Sequence, residues 1–202
     1  MRTLLLLLLC LTAACADPES ASQRFCRQLV SEPGAPPTDL NALSGILAEV
    51  RAALYPELEG VSIQLEPMDS TSDFFVANLD FATLDDPPLS RRYLVRYSKR
   101  LFDDPPGHAA TAAVLAHELR HIVDYTGMDG AELAEFALWY VSSDVSAYER
   151  ETDEHVLKLG CGEALKRYRL WLYGQVDPAT LEQKKKDYYT PQEIDAWIAE
   201  HG

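Results

Sequence analysis

The chain has 202 residues, 47% hydrophobic and 25% charged, with 32 acids against 18 bases. Length and composition fit a single globular domain and exclude disordered, collagenous and low-complexity classes. A formal net charge of -14 argues against nucleic acid or an anionic membrane surface as a partner, because nothing neutralises phosphates.

Residues 1–14 read as an export signal: Arg2, an apolar run from Leu4 to Leu11, then small residues. The run is about ten residues, against about 20 for a spanning helix. Leu11, Thr12, Ala13, Ala14 and Cys15 resemble a bacterial lipobox, which implies lipidation of Cys15. With Ala16 rather than Asp next, that resemblance implies an outer-membrane lipoprotein facing the periplasm or the exterior, its membrane contact made only through the anchor. Ala14, Cys15 and Ala16 also fit ordinary signal-peptidase cleavage before Asp17, which would give a freely secreted protein. Either way Cys26 and Cys161 remain as an even pair in an oxidising compartment, and a disulfide between them is expected.

Residues 15–37 form an N-terminal segment ending in a loop with Pro33, Gly34, Pro36 and Pro37, and a domain is expected over 38–202. Thr38 or Asp39 caps a helix running to about Leu54, with Leu40, Leu43, Leu47, Val50 and Leu54 on one stripe. Val61, Ile63 and Leu65 alternate with polar residues as a half-buried strand. Phe74–Leu79 and Tyr93–Tyr97 are further strands. Beyond Gly107 the pattern is helical: His108 to Tyr125, Ala131 to Leu159 with a possible break at Ser142, Ser143 and Asp144, then Glu163 to Tyr173. Thr190 and Glu193 form a capping box around Pro191 for a final helix through Ile198. A few strands followed by helices is an α+β pattern, a small mixed or antiparallel sheet leading into a helical half.

His117, Glu118, Leu119, Arg120 and His121 spell H-E-x-x-H inside the alanine-rich helix. A spacing of four puts both imidazoles on one face, one turn apart, where both reach a single ion. Imidazole suits zinc, and no thiol cluster competes. Glu118 borders the ligand stripe without occupying it, placed to take a proton from metal-bound water and deliver it to a leaving amine. Asp124 lies seven residues after His117, placed to orient a ligand imidazole. Lys184, Lys185 and Lys186 read as a solvated face.

The motif, following a small sheet, resembles the zincin metalloproteases, over roughly Tyr93 to Glu154. Arg120 departs from the uncharged residue that zincins usually carry there. The metzincin continuation is absent, so the resemblance implies a gluzincin-like site whose third ligand is a carboxylate from the following helix. Asp144, three residues before Ala147, matches the gluzincin pattern and is the expected ligand, with Glu151 as the alternative and Glu149 or Glu135 behind. Tyr148 shares the helical face of Asp144 and Glu151 and is a supporting residue; Tyr148 and Tyr125 both have a claim to oxyanion stabilisation beside that of core packing. The resemblance also implies that the strand at Tyr93–Tyr97 is the edge on which an extended peptide substrate lies. The expected protein is therefore an exported, monomeric zinc metallopeptidase acting on peptides or proteins. The alternative is a zinc-binding envelope lipoprotein with a degenerate, non-proteolytic site.

Overall fold

The computed structural model describes residues 19–32 and 34–201, so the signal, the lipobox and Cys15 lie outside the described residues. Among the described residues eight α-helices accompany three strands: α1 (Ala21–Ser31), α2 (Leu40–Leu54), β1 (Ser62–Met68), β2 (Phe75–Leu79), β3 (Arg92–Ser98), α3 (His108–Thr126), α4 (Gly130–Ser142), α5 (Ser146–Lys158), α6 (Gly162–Tyr173), α7 (Pro178–Asp187) and α8 (Pro191–His201). The fold is α+β, as the order of patterns anticipates. No helix among the described residues is long and apolar enough to cross a membrane.

α3 runs through the middle. Fourteen of its nineteen residues are buried, because it packs against α1, α2, α5, α6 and the sheet. Small side chains at Ala109, Ala110, Ala112, Ala113 and Ala116 let those neighbours approach closely, and Leu115, Leu119 and Ile122 fill the space between them. The Tyr55 hydroxyl, buried at the end of α2, donates to the carbonyl of Ala116 at 2.7 Å and pins the helix just before its motif.

Sequence patterning places most of the elements. Asp39 caps α2 by accepting from the Ala42 N–H at 2.8 Å, and Leu43, Leu47, Val50 and Leu54 are buried, although Leu40 at the helix start is exposed. Thr190 and Glu193 close the capping box of α8. The helical run after Gly127 divides into α4 and α5 at Ser143–Val145. Two helices fall outside the expected elements. α1 is amphipathic, carries Ser20 and Gln23 as a capping box and delivers Cys26 and Leu29 to the same core as the rest; α7 starts on Asp177 and Pro178 and has no buried residue to mark an apolar stripe.

The sheet corrects one expectation. Strand order is β1-β3-β2, with β1 parallel and β2 antiparallel to β3. The strand at Tyr93–Tyr97 is therefore central, hydrogen-bonded on both sides, and unavailable to a substrate. β2 is the edge facing α3. Tyr93 and Val95 are wholly buried, which is what a central strand requires and what an aromatic, β-branched run fits best.

Cys26 of α1 and Cys161 at the start of α6 are joined as a disulfide with Cα atoms 4.8 Å apart, inside the ordinary span for such a bridge. Gly160 makes the approach feasible: its φ of 91° lies in the left-handed region, and a Cβ there would sit 3.0 Å from Gln23 of α1.

Candidate metal centre

α3 and α5 meet across a dry interface with the same four-residue spacing on each: His117 and His121 on one side, Glu149 and Asp153 on the other. The Nε2 atoms of the two histidines are 3.1 Å apart. Glu149 Oε2 lies 3.0 Å from the first and 3.4 Å from the second. Zinc bonds of about 2.0–2.2 Å put tetrahedral ligand atoms roughly 3.3–3.5 Å apart, so these three atoms surround one point at close to the spacing that zinc imposes. Among the described residues, His117, His121 and Glu149 form the group able to hold a metal.

The surroundings fix which atoms face that point. His117 Nδ1 is 2.9 Å from Asp153 Oδ1, and His121 Nδ1 is 2.9 Å from the Tyr148 hydroxyl. With each Nδ1–H donated away from the centre, both Nε2 atoms face inward, the atoms that a metal would take once His117 gives up its Nε2 proton. Asp153 is held by two oxygen contacts to Arg169 Nη2 at 2.6 and 2.9 Å and by the Tyr189 N–H at 2.9 Å. Tyr140 donates to the other oxygen of Glu149 at 2.6 Å. Every residue in this shell is positioned by a second one.

Electrostatics follow from burial and pairing. Burial acts to lower the His117 pKa, but hydrogen bonds and charges from Asp153 and Glu149 outweigh it and push it up to about 10. Burial acts to raise Glu149, and the two imidazoles overcome it, holding the carboxylate far below its usual range. Asp153 is likewise lowered against its burial, chiefly by the Arg169 guanidinium. Glu118 is raised: burial dominates over the attraction of His117 and His121. Two imidazoles and one carboxylate are a donor set that could hold a divalent cation, and their chemistry fits zinc.

Glu118 sits beside the three donors, 6% exposed, its Oε2 accepting the Ala77 N–H at 2.6 Å. In β2 the even residues pair with β3, as Ser98 N–H to Phe74 O and Asp80 N–H to Arg92 O at 2.9 Å show. Phe75, Ala77 and Leu79 therefore present their main-chain groups to the open edge. In front of this edge is a cavity of about 330 Å³ lined by Phe75, Leu79, Leu133, Phe136 and Val141, with His117, Glu118, His121 and Glu149 along its floor.

No protein-family model, curated protein or solved structure matches this chain. What the residues can do therefore rests on their geometry.

His117, Glu118 and His121 gather as the motif implies, but the third donor does not come from the expected position. Asp144 lies in the turn before α5, exposed, with its carboxylate bound to Lys186 at 2.8 Å and to Ser146. That residue is one turn too early: α5 begins only at Ser146, so the first acid whose helical position faces α3 is Glu149. Glu151 is also displaced, pointing into a separate cavity beyond α3 with Arg120 and His155, and Glu135 is exposed on α4. Tyr148 supports His121 directly, and Asp124 supports it one step further out, 3.3 Å from the Tyr148 hydroxyl. Tyr125 stacks near His121 with ring centroids 6.3 Å apart. Arg120 pairs with Asp124 at 2.5 Å within α3.

Three supporting residues were not legible beforehand: Asp153, Arg169 and Tyr140. The signal for the first was present, since Glu149 and Asp153 repeat the i, i+4 spacing of the histidines. Lys184 also departs from a solvated face: its side chain is only 13% exposed and bonds Asp73 at 2.5 Å.

Proposed function

We propose that this chain is a zinc-dependent metallopeptidase, exported and held at the cell envelope or secreted, with His117, His121 and Glu149 as zinc ligands. The carrying observation is the convergence of two Nε2 atoms and one carboxylate oxygen beside Glu118, at the foot of the outer edge of β2, whose Ala77 and Leu79 N–H groups are held by the Glu118 and Asn78 side chains. Zinc bound there would polarise a carbonyl and acidify water. Glu118 is the general base and then the general acid; its raised pKa suits a group that must both accept and return a proton. The edge of β2 takes an extended peptide by main-chain pairing, with Ala77 exchanging its bond to Glu118 for one to the substrate. The apolar cavity receives a side chain next to the scissile bond.

One observation favours the alternative of a non-proteolytic zinc-binding protein. Glu118 is already engaged by Ala77, which closes the site with the protein's own strand. Zinc content and cleavage of unfolded casein by the wild type and by Glu118→Gln separate the two. The peptidase reading expects stoichiometric zinc in both proteins and a loss of cleavage of about 10²–10⁴-fold in the variant. Zinc without any Glu118-dependent cleavage selects the binding protein, and absence of zinc removes both.

A further inference from the structure

The cleft along β2 has two unlike ends. Toward Leu79 it opens between Phe81 and Val141, which are 58% and 81% exposed. Toward Asp73 it narrows into a second cavity of about 20 Å³ that shares Asp73, Phe75, His117, Glu118 and Tyr188 with the first. That volume admits one water-sized group, such as one oxygen of a carboxylate whose remaining atoms lie in the wider cavity. Its wall carries Lys184 and Arg169, 5.2 and 4.5 Å from the centre of the Tyr188 ring.

The hydrogen-bonding capacity there is unbalanced. Two acids face the small cavity, and both have partners: Asp73 is held by Lys184, and Glu118 by the Ala77 N–H. The donors exceed them. Arg169 is 3% exposed, and its buried Nε has no hydrogen-bond partner among the described residues, because Asp153 engages only Nη2. The Lys184 ammonium has three N–H groups, of which Asp73 takes one direction. The unpaired buried Nε of Arg169 calls for an acceptor.

We propose that this end of the cleft binds the C-terminal carboxylate of a peptide, making the enzyme one that trims chains from the C-terminus. The inference rests on the metallopeptidase reading above. A peptide lying antiparallel to β2 runs with its C-terminus toward Phe75 and Asp73, so its direction and the placement of the donors agree. Ala77, level with Glu118, is two residues from Phe75, about 7 Å along an extended chain. One or two residues therefore fit between the scissile bond and the terminal carboxylate. The upstream chain leaves through the apolar end, where Phe81 and Val141 favour apolar side chains.

The test compares one peptide in three forms: free acid, C-terminal amide and N-acetylated free acid. The zinc-loaded wild type is expected to cleave the acid about 10–100-fold more efficiently in kcat/KM than the amide, the ordinary worth of one charge-assisted contact. N-acetylation should change little, and products should be shortened by one or two C-terminal residues. Lys184→Met, checked for full zinc content, should lose most of the acid preference, read as the ratio of kcat/KM for the acid to that for the amide. Equal cleavage of acid and amide overturns the carboxylate site and leaves the metallopeptidase reading standing. Loss of cleavage on N-acetylation overturns it too, assigning the closed end to an amine at Asp73. Binding of the acid and amide to zinc-loaded Glu118→Gln, measured by calorimetry, needs no turnover: tighter binding of the acid supports the site even where no form is cleaved, and equal binding removes it.

Discussion

The two sides of α3 carry nearly the same residue types and do opposite things with them. On one side His117, His121, Glu149 and Asp153 are between 0% and 5% exposed, and their polar atoms turn toward a common point or toward the residue that orients them. On the other, Arg120, Asp124, Glu151, His155 and Lys158 line an open cavity of about 460 Å³, where the Arg120–Asp124 pair is satisfied within its own helix. The residues differ less than their access to water. An imidazole or carboxylate in water needs no partner, whereas one in a dry interface must have a specific one. The first cluster is organised because it had to be, and the organisation brings two imidazole nitrogens and one carboxylate oxygen to a common point.

Metal content breaks this comparison most directly. His117→Ala and Glu149→Ala are expected to drop zinc from one equivalent to trace in elemental analysis, while Glu151→Ala and Asp144→Ala keep it. Retention by Glu149→Ala with loss by Glu151→Ala would exchange the roles of the two sides. The next effect is one of pH. Below its pKa of about 10, His117 holds a proton that the cation must displace, so zinc binding releases one proton from it. Competition titrations should show apparent affinity rising about tenfold per unit, about 100-fold from pH 6 to 8; a flat profile would mean that His117 is neutral without metal.

Asp153→Asn sharpens the contrast at a smaller scale. Orienting partners of metal-bound histidines contribute about 10–100-fold in affinity, and here the substitution also leaves the buried Arg169 charge uncompensated, for a loss of about 3–5 kcal/mol in denaturant unfolding. The Arg169 and Asp153 side chains are only 4% and 0% exposed, so solvent offers little relief. Asp124→Asn, acting on His121 only through Tyr148, should change zinc affinity by a few-fold at most. Equal effects of the two substitutions would show that burial does not separate the sides as described.

How far the sequence reached varies in the same physical way. The spacing of four within α3 is local, set by helix geometry, and it put His117, Glu118 and His121 together without any knowledge of the fold. The third donor is a contact between helices, and its identity depends on where α5 begins. Ser142, Ser143 and Asp144 marked a break, but whether Asp144 belonged to the turn or to the next helix was decided by tertiary packing, and one turn of helix is the difference between Asp144 and Glu149. Strand order is similarly non-local: Tyr93 and Val95 read as a strand from composition, yet only the arrival of β1 and β2 on either side makes it central and leaves the edge to β2. α7, with polar residues all round its lysine run, offered no period to read.

The disulfide between Cys26 and Cys161 has a topological consequence. Its closed loop spans 135 positions and contains β2, α3 and α5, hence all three metal donors with Glu118 and Asp153. A single peptide-bond cut anywhere inside that loop opens a ring rather than severing a chain, and the two fragments stay covalently joined. Arg169 and Lys184 lie outside the ring. Clipping between Cys161 and Arg169 would thus sever both cationic residues of the narrow end from the chain that carries every donor atom of the metal centre.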